Sequence, residues 1–221
     1  MDQQAIIFDL DGTLWDACDT VAVAWNDYCA ARGIRRTFTP DECRSFCGKT
    51  MEQIAALVFP DMEKSLREEL MLGCCLAENP PLAERGGILY PNLIPVLEEL
   101  KKRYFLAVVS NCQQGYIEAF FTGNGTGYLF SDAENAGRTG LSKGENIRLV
   151  MERNGIDRAV YVGDTDGDRR AAEEAGIPFI HAAYGFGSVA RADAVIHSFS
   201  QLLDFLDKKE KNGYNNHNIV G

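Results

Sequence analysis

Short, continuous runs of apolar residues, separated by helix-like segments, constrain the fold of this sequence more than any other feature. Such runs lie at residues 5–8, 105–109, 159–162 and 178–182, with shorter candidates at 128–130 and 194–196. An apolar run without polar alternation predicts a strand that is covered on both faces. Helix-like segments lie between the runs, at residues 93–102, 113–122, 144–154 and 169–175. Strands that alternate with helices form right-handed βαβ units, so the sequence predicts an α/β fold with a parallel sheet.

A long helical segment interrupts this alternation after the first apolar run. Residues 16–32 are amphipathic, residues 50–59 and 62–78 are helix-like, and Pro40 with two acids after it is typical of a helix start. Nothing in this part of the sequence has the pattern of a strand. We therefore predict an all-α domain that is inserted into the chain after the first strand.

These patterns divide the chain into a discontinuous α/β domain, a helical insertion and a tail. The prediction assigns residues 1–14 and 87–207 to the α/β domain, 15–86 to the insertion and 208–221 to a polar tail. The tail is rich in Lys and Asn and has few apolar residues, so we expect it to be disordered.

The charge and composition of the chain indicate which binding partners and which cellular compartment to expect. The chain has 221 residues and a formal net charge of −10. An acidic chain lacks the basic face that nucleic acids and anionic membranes require, so we expect neither as a partner. The first apolar run is too short for a signal peptide or a membrane span, which favours a cytoplasmic protein. The seven cysteines lack the paired spacing that binds zinc, and we interpret them as buried thiols.

Polar residues follow three of the apolar runs directly. Asp9 and Asp11 come after the first run, Ser110 after the second and Asp164 after the third. Ligands of open α/β sheets bind at the carboxyl ends of the strands, so these side chains converge if the three strands are neighbours. The sequence thus predicts a site at this edge of the sheet.

Asp9 and Asp11 have the spacing of two carboxylates that act on one ligand. Residues i and i+2 of an extended backbone point to the same side. One carboxylate can attack phosphorus while the other handles the proton of the leaving group. Gly12 permits a sharp turn whose backbone N–H groups can face phosphate oxygens. A calcium-type acidic loop, or plain turn acids, is the alternative for this motif alone.

The remaining candidates supply a hydroxyl, a cation and metal ligands. Ser110 and the backbone at Asn111 can hydrogen-bond a phosphoryl oxygen, and Lys143 can pair with phosphate and with the attacking carboxylate. Asp164 and Asp168 flank a glycine-containing turn before a helix, and carboxylate oxygens suit Mg2+. Asp166 or Asp168 can instead cap that helix.

These segments, in this order and spacing, resemble the motifs of the haloacid dehalogenase superfamily of phosphohydrolases, in the subgroup with a helical cap after the first motif. The resemblance implies a Rossmann-like core and Mg2+ as the cofactor. It also implies that Asp9 is the nucleophile that forms an aspartyl-phosphate and that Asp11 is the general acid and base. Ser110 and Lys143 would hold the phosphoryl group. The implied metal ligands are Asp9, Asp11, Asp164 and Asp168.

Within the superfamily, the chain is most similar to the phosphoglycolate phosphatase-like and β-phosphoglucomutase-like members. Residues 11–16 resemble the extended first motif of these proteins, and residues 88–91 resemble the return of their chain from the cap. Arg44, Gly48 and Lys49 lie in a segment that resembles the cap loop contacting the leaving group. We therefore take these three residues as candidate substrate-binding residues, in addition to Asn111.

We predict a Mg2+-dependent hydrolase of phosphate monoesters that acts on a small soluble metabolite, with phosphoglycolate as one candidate. Asp11 argues against a dehalogenase proper, which lacks this second acid. A β-phosphoglucomutase-type phosphotransferase, an inorganic pyrophosphatase and a non-catalytic sensor of a phosphorylated metabolite remain alternatives. The first helix of the insertion carries no Lys or His before Arg32, which disfavours the mutase. The protein is expected to be a monomer or a homodimer.

Overall fold

Eight strands and ten α-helices form the part of the protein that the computed structural model describes, residues 4–211, with side chains described for residues 4–207. In chain order the strands are β1 (Gln4–Phe8), β2 (Trp15–Asp16), β3 (Ile88–Leu89), β4 (Phe105–Ser110), β5 (Asp132–Asn135), β6 (Arg158–Gly163), β7 (Phe179–Ala182) and β8 (Ala194–Ile196). The helices are α1 (Cys18–Ala31), α2 (Pro40–Phe46), α3 (Met51–Val58), α4 (Lys64–Arg85), α5 (Leu93–Leu100), α6 (Tyr116–Asn124), α7 (Ala136–Thr139), α8 (Lys143–Arg153), α9 (Asp166–Ala175) and α10 (Ser200–Lys211).

Six of the strands form one parallel sheet, in the order β5–β4–β1–β6–β7–β8. β1 lies in the middle, paired with β4 on one side and with β6 on the other. Parallel neighbours need crossover connections, which the intervening helices supply. The predicted α/β class, a Rossmann-like parallel sheet with helices on both faces, is confirmed.

Both faces of the central strand β1 are buried, which explains its continuous apolar run. Ile6 and Phe8 pack into a core cluster that includes residues of α5, α6 and α10, whereas Ala5 and Ile7 pack into a second cluster with α8 and α9. All four side chains are fully buried. Complete burial of a large apolar side chain contributes about 1.5–3 kcal/mol, so this strand is strongly anchored. The strand carries the catalytic candidates at its carboxyl end and therefore gives them a rigid base.

The edge strand β5 departs from the sequence prediction. The apolar run at 128–130, predicted as a short strand, lies instead around a 3-10 turn at Gly127–Leu129. The strand follows a few residues later and pairs with β4. Its acids bind one arginine, with Arg153 at 2.7 Å from Asp132 and at 2.6 Å from Glu134. An edge strand with charged side chains has no apolar pattern, so the prediction from hydrophobic runs is wrong here.

The chain between β1 and β4 contains the predicted helical segment. Helices α1 to α4 lie between β2 and β3, a short antiparallel pair that joins Trp15 to Leu89 and Asp16 to Ile88. Because these two strands pair, the chain enters and leaves the helical segment at the same place. The described structure has no strand between β2 and β3. The division into a cap at 15–86 and a discontinuous core stays a prediction.

Helix α4 continues past the expected end at residue 78, through Pro80 and Pro81 to Arg85. Proline inside a helix removes a backbone N–H and usually ends or kinks the helix. Packing of α4 against α1 and α6 offsets this loss. The contact with α6 is close, because a Cβ added to Gly123 would lie only 2.1 Å from the carbonyl oxygen of Leu82.

The last described helix, α10, includes residues 208–211, which are the first four of the predicted tail. The rest of that segment lies outside the described residues. In the described range, every helix is too short or too polar to cross a membrane.

Candidate active site

Three neighbouring strands end at the same edge of the sheet and bring the predicted catalytic residues together. Asp9 follows β1, Ser110 ends β4 and Asp164 follows β6. Because β1 pairs in parallel with both other strands, the three residues lie at adjacent strand ends. They are 2%, 5% and 0% exposed, respectively. Polar groups this deeply buried need internal partners or a ligand.

Lys143 joins these residues from the first turn of α8. Ser142 caps the helix by accepting the backbone N–H of Glu145, whose side chain accepts the backbone N–H of Ser142 in return. The buried Lys143 ammonium donates to Asp9 Oδ1 at 2.9 Å and to Asp168 Oδ1 at 2.7 Å. Burial alone would lower the pKa of Lys143, but the charges of Asp168 and Asp9 outweigh it and hold that pKa well above its usual value. The lysine therefore remains a cation.

Asp168 is held at both of its carboxylate oxygens. Oδ1 accepts from Lys143, while Oδ2 accepts from the backbone N–H of Thr165 at 2.9 Å and from its hydroxyl at 2.6 Å. The Thr165 side chain in turn accepts the backbone N–H of Asp168, so the two residues form a capping box at the start of α9. Thr165 is therefore the N-cap residue of α9, in place of the predicted alternatives Asp166 and Asp168, and Asp168 completes the capping box while it orients Lys143.

The two carboxylates of the first motif have raised pKa values for different combinations of reasons. Burial first, and then the negative charge of Asp168, raise the pKa of Asp9 to about 6 against the opposing effect of Lys143. Burial and the charge of Asp9 raise the pKa of Asp11 to about 7. Tyr116 and Trp15 moderate the latter shift by donating to Asp11 Oδ1, at 2.8 and 3.0 Å. At neutral pH, Asp9 is mainly ionised while Asp11 holds a proton for a large part of the time.

Asp9, Asp164 and Asp168 form a group that is suited to a metal ion. Each offers a carboxylate oxygen, and these oxygens lie within 4.8 Å of one another. Asp164 Oδ2 accepts the backbone N–H groups of Phe186 and Gly187, at 2.7 and 3.1 Å, whereas its buried Oδ1 has no hydrogen-bond partner in the described protein. Burial, Asp168 and Asp9 raise the pKa of Asp164 to about 8. An unpartnered oxygen among crowded acids fits a divalent cation with a preference for oxygen ligands.

Glycine at position 12 lets the backbone after Asp11 approach this cluster. Gly12 has a φ of +79°, in the left-handed region. A Cβ at this position would lie 2.3 Å from Asp164 Oδ2. Any side chain would therefore displace the carboxylate, and the turn predicted after Asp11 needs glycine for space as well as for its conformation.

The loop after α2 reaches the site. Of the candidates Arg44, Gly48 and Lys49, the last two line a cavity between the sheet edge and the helical segment. The Asn111 side-chain amide donates to the carbonyl oxygen of Gly48 at 3.2 Å, which ties the loop to the end of β4. Gly48 and Lys49 both lie in the cavity wall. The Lys49 ammonium donates to the carbonyl oxygen of Ser45, on the exposed side of the loop.

Arg44 is not among the residues that line this cavity. Its guanidinium binds Asp16 at 2.8 Å and Asp41 at 2.6 Å, with Asp19 at 3.7 Å. It borders a second cleft on the outer side of the loop. Its ion pairs fix the loop against α1, so the structure gives this candidate a position away from the reacting groups.

The cavity between the sheet edge and the helical segment has a volume of about 80 Å³. One water molecule needs about 10–15 Å³ of such space, so the cavity has the size for a small ligand. Asp9, Asp11, Ser110 and Lys143 line one part of it. The helical segment contributes mainly apolar and aromatic side chains.

Two polar residues of the cavity, Tyr116 and Glu78, were missed by the sequence analysis. Tyr116 begins α6 and bonds Asp11, and no local motif marks such a contact across the fold. Glu78 occupies a position on the buried stripe of α4, which also contains Met71, Cys75 and Leu82. A charged residue within an apolar helical stripe was a signal that could have identified it.

Comparison with known proteins places this arrangement in a family. The family model described as haloacid dehalogenase-like hydrolase matches residues 6–182. A phosphoglycolate phosphatase from Synechococcus elongatus is 32% identical over 211 residues, which cover 90% of this chain and 95% of that protein. A phosphoglycolate phosphatase from Aquifex aeolicus is 30% identical over 190 residues, covering 83% of this chain and 86% of that protein.

Solved structures show the same fold. A haloacid dehalogenase-like family hydrolase from Streptococcus pneumoniae has a TM-score of 0.79 at 22% identity, covering 92% of this chain and 98% of that one. The CbbY protein from Rhodobacter sphaeroides, solved in complex with phosphate, has a TM-score of 0.75 at 24% identity, covering 91% and 96%. With its motif residues assembled at one sheet edge and most of its length matched, the chain belongs to the haloacid dehalogenase-like hydrolase family.

Proposed function

We propose that this chain, a phosphatase of the haloacid dehalogenase-like hydrolase family, uses Mg2+ to hydrolyse a small phosphate monoester through an aspartyl-phosphate on Asp9. One observation carries the proposal. Asp9 bonds a buried lysine and lies close to two further acids, while Asp11, two residues on, has a pKa of about 7. A nucleophile, a cation, an acid–base group and an oxygen-rich metal site therefore meet at one edge of the sheet.

In the first step, the ionised Asp9 carboxylate attacks phosphorus, and the bond between phosphorus and the ester oxygen breaks. Lys143 fixes one oxygen of Asp9 and offers its charge to the phosphoryl group. Ser110 and Asn111, at the end of β4, supply hydrogen bonds to phosphoryl oxygens. Asp11 holds a proton for a large part of the time at neutral pH and gives it to the leaving alkoxide, which departs as an alcohol.

In the second step, water attacks phosphorus of the aspartyl-phosphate, releasing phosphate and restoring Asp9. Asp11, ionised after the first step, takes the proton from that water. Asp9, Asp164 and Asp168, with Asp11, are the residues that would hold Mg2+, whose charge would offset that of the phosphoryl oxygens. The donors Tyr116 and Trp15 steady Asp11 in both protonation states.

The size of the cavity and the names of the related proteins indicate which substrates to test. The cavity suits a small ester, and the curated relatives described above carry the name phosphoglycolate phosphatase. Phosphoglycolate is therefore the reference compound for any assay. Action in the cytoplasm, and a monomeric or homodimeric state, stay predictions.

The decisive experiment is phosphate release from a panel of esters, with and without Mg2+, by wild type and by Asp9→Asn. The panel contains phosphoglycolate, hexose and pentose phosphates, nucleotides and pyrophosphate. We expect Mg2+-dependent turnover that falls by a factor of about 10³ or more in the variant, because the amide cannot form the acyl-phosphate. Normal turnover by Asp9→Asn would refute the proposal. Isomerised sugar phosphate without phosphate release would instead indicate a mutase, and pyrophosphate as the best substrate would indicate a pyrophosphatase.

A further inference from the structure

Glu78 is a buried carboxyl group in the active-site cavity that the proposed reaction does not use. It lies on α4, is 4% exposed, and lines the same cavity as Asp9 and Asp11. The Trp25 indole donates to its Oε2, and the Gln113 amide donates to its Oε1 at 2.8 Å. Both of these donors are neutral.

A cation is missing from the surroundings of Glu78. Within the described part of the chain, no ion pair includes this residue, and none of the charges that influence it is positive. Buried carboxyl groups are normally paired with a cation or a metal ion. The two lysines of the cavity are engaged elsewhere, Lys143 with Asp9 and Asp168, and Lys49 with a backbone carbonyl.

The walls around Glu78 have the composition of a site for an organic cation. Trp25 and Phe46 stack with ring centroids 6.1 Å apart, and both rings line the cavity together with Tyr116. Aromatic faces attract ammonium groups, more strongly when water is excluded. The remaining wall residues of the helical segment are largely apolar, such as Val21 and Ile54.

Glu78 is connected to the reacting end of the cavity through the chain after β4. Ser110 ends that strand, and Gln113 in the following turn donates to Glu78 and to the carbonyl oxygen of Cys75. Tyr116, at the start of the next helix, donates to Asp11. A leaving group that extends from Asp11 into the part of the cavity lined by the helical segment would reach the wall that contains Glu78.

A carboxylate on the leaving group fits this end of the cavity poorly. It would oppose ionisation of Glu78, because two negative charges in a buried site repel strongly, and so it gains no ion pair from this residue. Burial raises the pKa of Glu78 to about 8 despite the hydrogen bonds from Gln113 and Trp25. An ammonium group on the ligand would reverse this effect by favouring the ionised carboxylate.

We propose that Glu78 selects phosphate esters whose leaving alcohol carries an ammonium group, so that this chain prefers the phosphate ester of a small amino alcohol to phosphoglycolate. The proposal rests on the phosphomonoesterase reaction described above. Lys143 and the acidic cluster would receive the phosphoryl end of the substrate, while Glu78 and the aromatic walls would receive the ammonium end.

Three esters of nearly equal size test this preference: phosphoethanolamine, 2-hydroxyethyl phosphate and phosphoglycolate. They place an ammonium group, a hydroxyl and a carboxylate, respectively, at the same distance from phosphorus. We expect wild type to show a kcat/KM for phosphoethanolamine at least ~10-fold above that for 2-hydroxyethyl phosphate, which is typical of one buried ion pair, and higher still relative to phosphoglycolate.

The variant Glu78→Gln keeps the shape of the side chain and removes its charge. We expect it to lose most of the preference for phosphoethanolamine over 2-hydroxyethyl phosphate, through a higher KM more than a lower kcat. The matched control is Glu84→Gln, which removes the same charge from an exposed position on the same helix. The control should keep the wild-type order of the three esters.

The outcomes separate this proposal from the proposed function. Asp9-dependent hydrolysis with phosphoglycolate or 2-hydroxyethyl phosphate as the best of the three esters overturns the role of Glu78 and leaves the phosphatase reaction intact. An unchanged preference in folded Glu78→Gln overturns it as well. If Glu78→Gln does not fold, competition in wild type decides, since ethanolamine must then inhibit better than ethylene glycol or glycolate. Failure to hydrolyse any ester of either panel overturns the phosphatase reaction itself.

Discussion

Replacing Asp164 by Asn should make the metal-free protein more stable while abolishing its use of Mg2+. Asp164 is fully buried beside Asp9 and Asp168, with Lys143 as the cation of this cluster. Its amide counterpart has nearly the same shape. The oxygen of Asn can still accept the backbone N–H groups of Phe186 and Gly187, and its NH2 replaces a carboxylate oxygen that has no hydrogen-bond partner.

The size of this effect follows from the pKa of Asp164, which rises from 3.8 to about 8 on folding. At pH 7 the folded protein must keep a proton that the unfolded chain has released. Across the roughly three pH units between 3.8 and 7, at about 1.4 kcal/mol per unit, this would cost about 4 kcal/mol. Because the buried amide of Asn also loses its hydration on folding, we expect the substitution to recover only about 2 kcal/mol. For a chain of this length, that raises Tm by about 4–8 °C.

Thermal unfolding in EDTA, followed by circular dichroism, measures this difference. A carboxyl group whose pKa is raised by folding costs no stability below its unfolded-state pKa. The cost grows as the pH rises and is complete once the pH has passed the folded-state pKa. The stabilising effect of Asp164→Asn should therefore vanish near pH 4 and grow up to about pH 8. Added Mg2+ should raise the Tm of wild type but not of the variant. A lower Tm for the variant in EDTA at pH 7, or an equal response to Mg2+, would refute the reasoning.

Three further substitutions probe neighbouring contacts. Lys143→Met removes the cation that binds Asp9 and Asp168, and kcat in steady-state phosphate release should fall by a factor of about 10² to 10³ or more; near-normal kcat would contradict its role. Gly12→Ala pushes a Cβ against Asp164 and should weaken Mg2+ binding in calorimetry, whereas Gly33→Ala, with a similar φ of +68° and open space around it, should lose only stability. Equal Mg2+ affinity in both variants would contradict the clash. Tyr116→Phe removes a donor that lowers the pKa of Asp11. The alkaline limb of the kcat/KM profile, where Asp11 loses its proton, should therefore move upward by about one pH unit. No shift would mean that another group titrates there.

The sequence allowed the central sheet to be predicted because its strands are buried on both faces. β1 has a continuous apolar run for this reason, and the order of polar residues after β1, β4 and β6 was enough to predict that they converge. The edge strand β5 was missed because its stability comes from pairing with β4 and from the ion pairs of Arg153. Neither contribution produces an apolar pattern. The same limit applies to α4, where packing against α6 carries the helix past two prolines.

The residues of the site also differ in whether their position could be predicted from the sequence. Asp9, Asp11 and Asp164 could be predicted to lie together because each occupies a fixed place relative to a strand end. Tyr116 could not, and the charge of Glu78 within an apolar helical stripe marks it as unusual without saying what it contacts, because both residues reach the cavity through the packing of α4 against α6. Arg44 shows the converse, since three neighbouring acids hold its charge outside the cavity.

Two groups of buried acids therefore set the balance between stability and function in this fold. The cluster around Lys143 contains more carboxylates than cations, and Glu78 has no cation at all among the described residues. Burial of unpaired carboxyl groups opposes folding, and at Asp164, where one oxygen has no partner, a neutral residue of the same shape would be more stable. Asp9 and Lys143 of the first group line the same cavity as Glu78, and a ligand of opposite charge can compensate each group. A metal ion compensates the first group and a cationic leaving group the second, so Mg2+ and substrate should stabilise the protein additively if the two ends act independently. Thermal shifts with Mg2+, with ethanolamine and with both together test this, and an ethanolamine shift that depends on Mg2+ would show instead that the two ends are coupled.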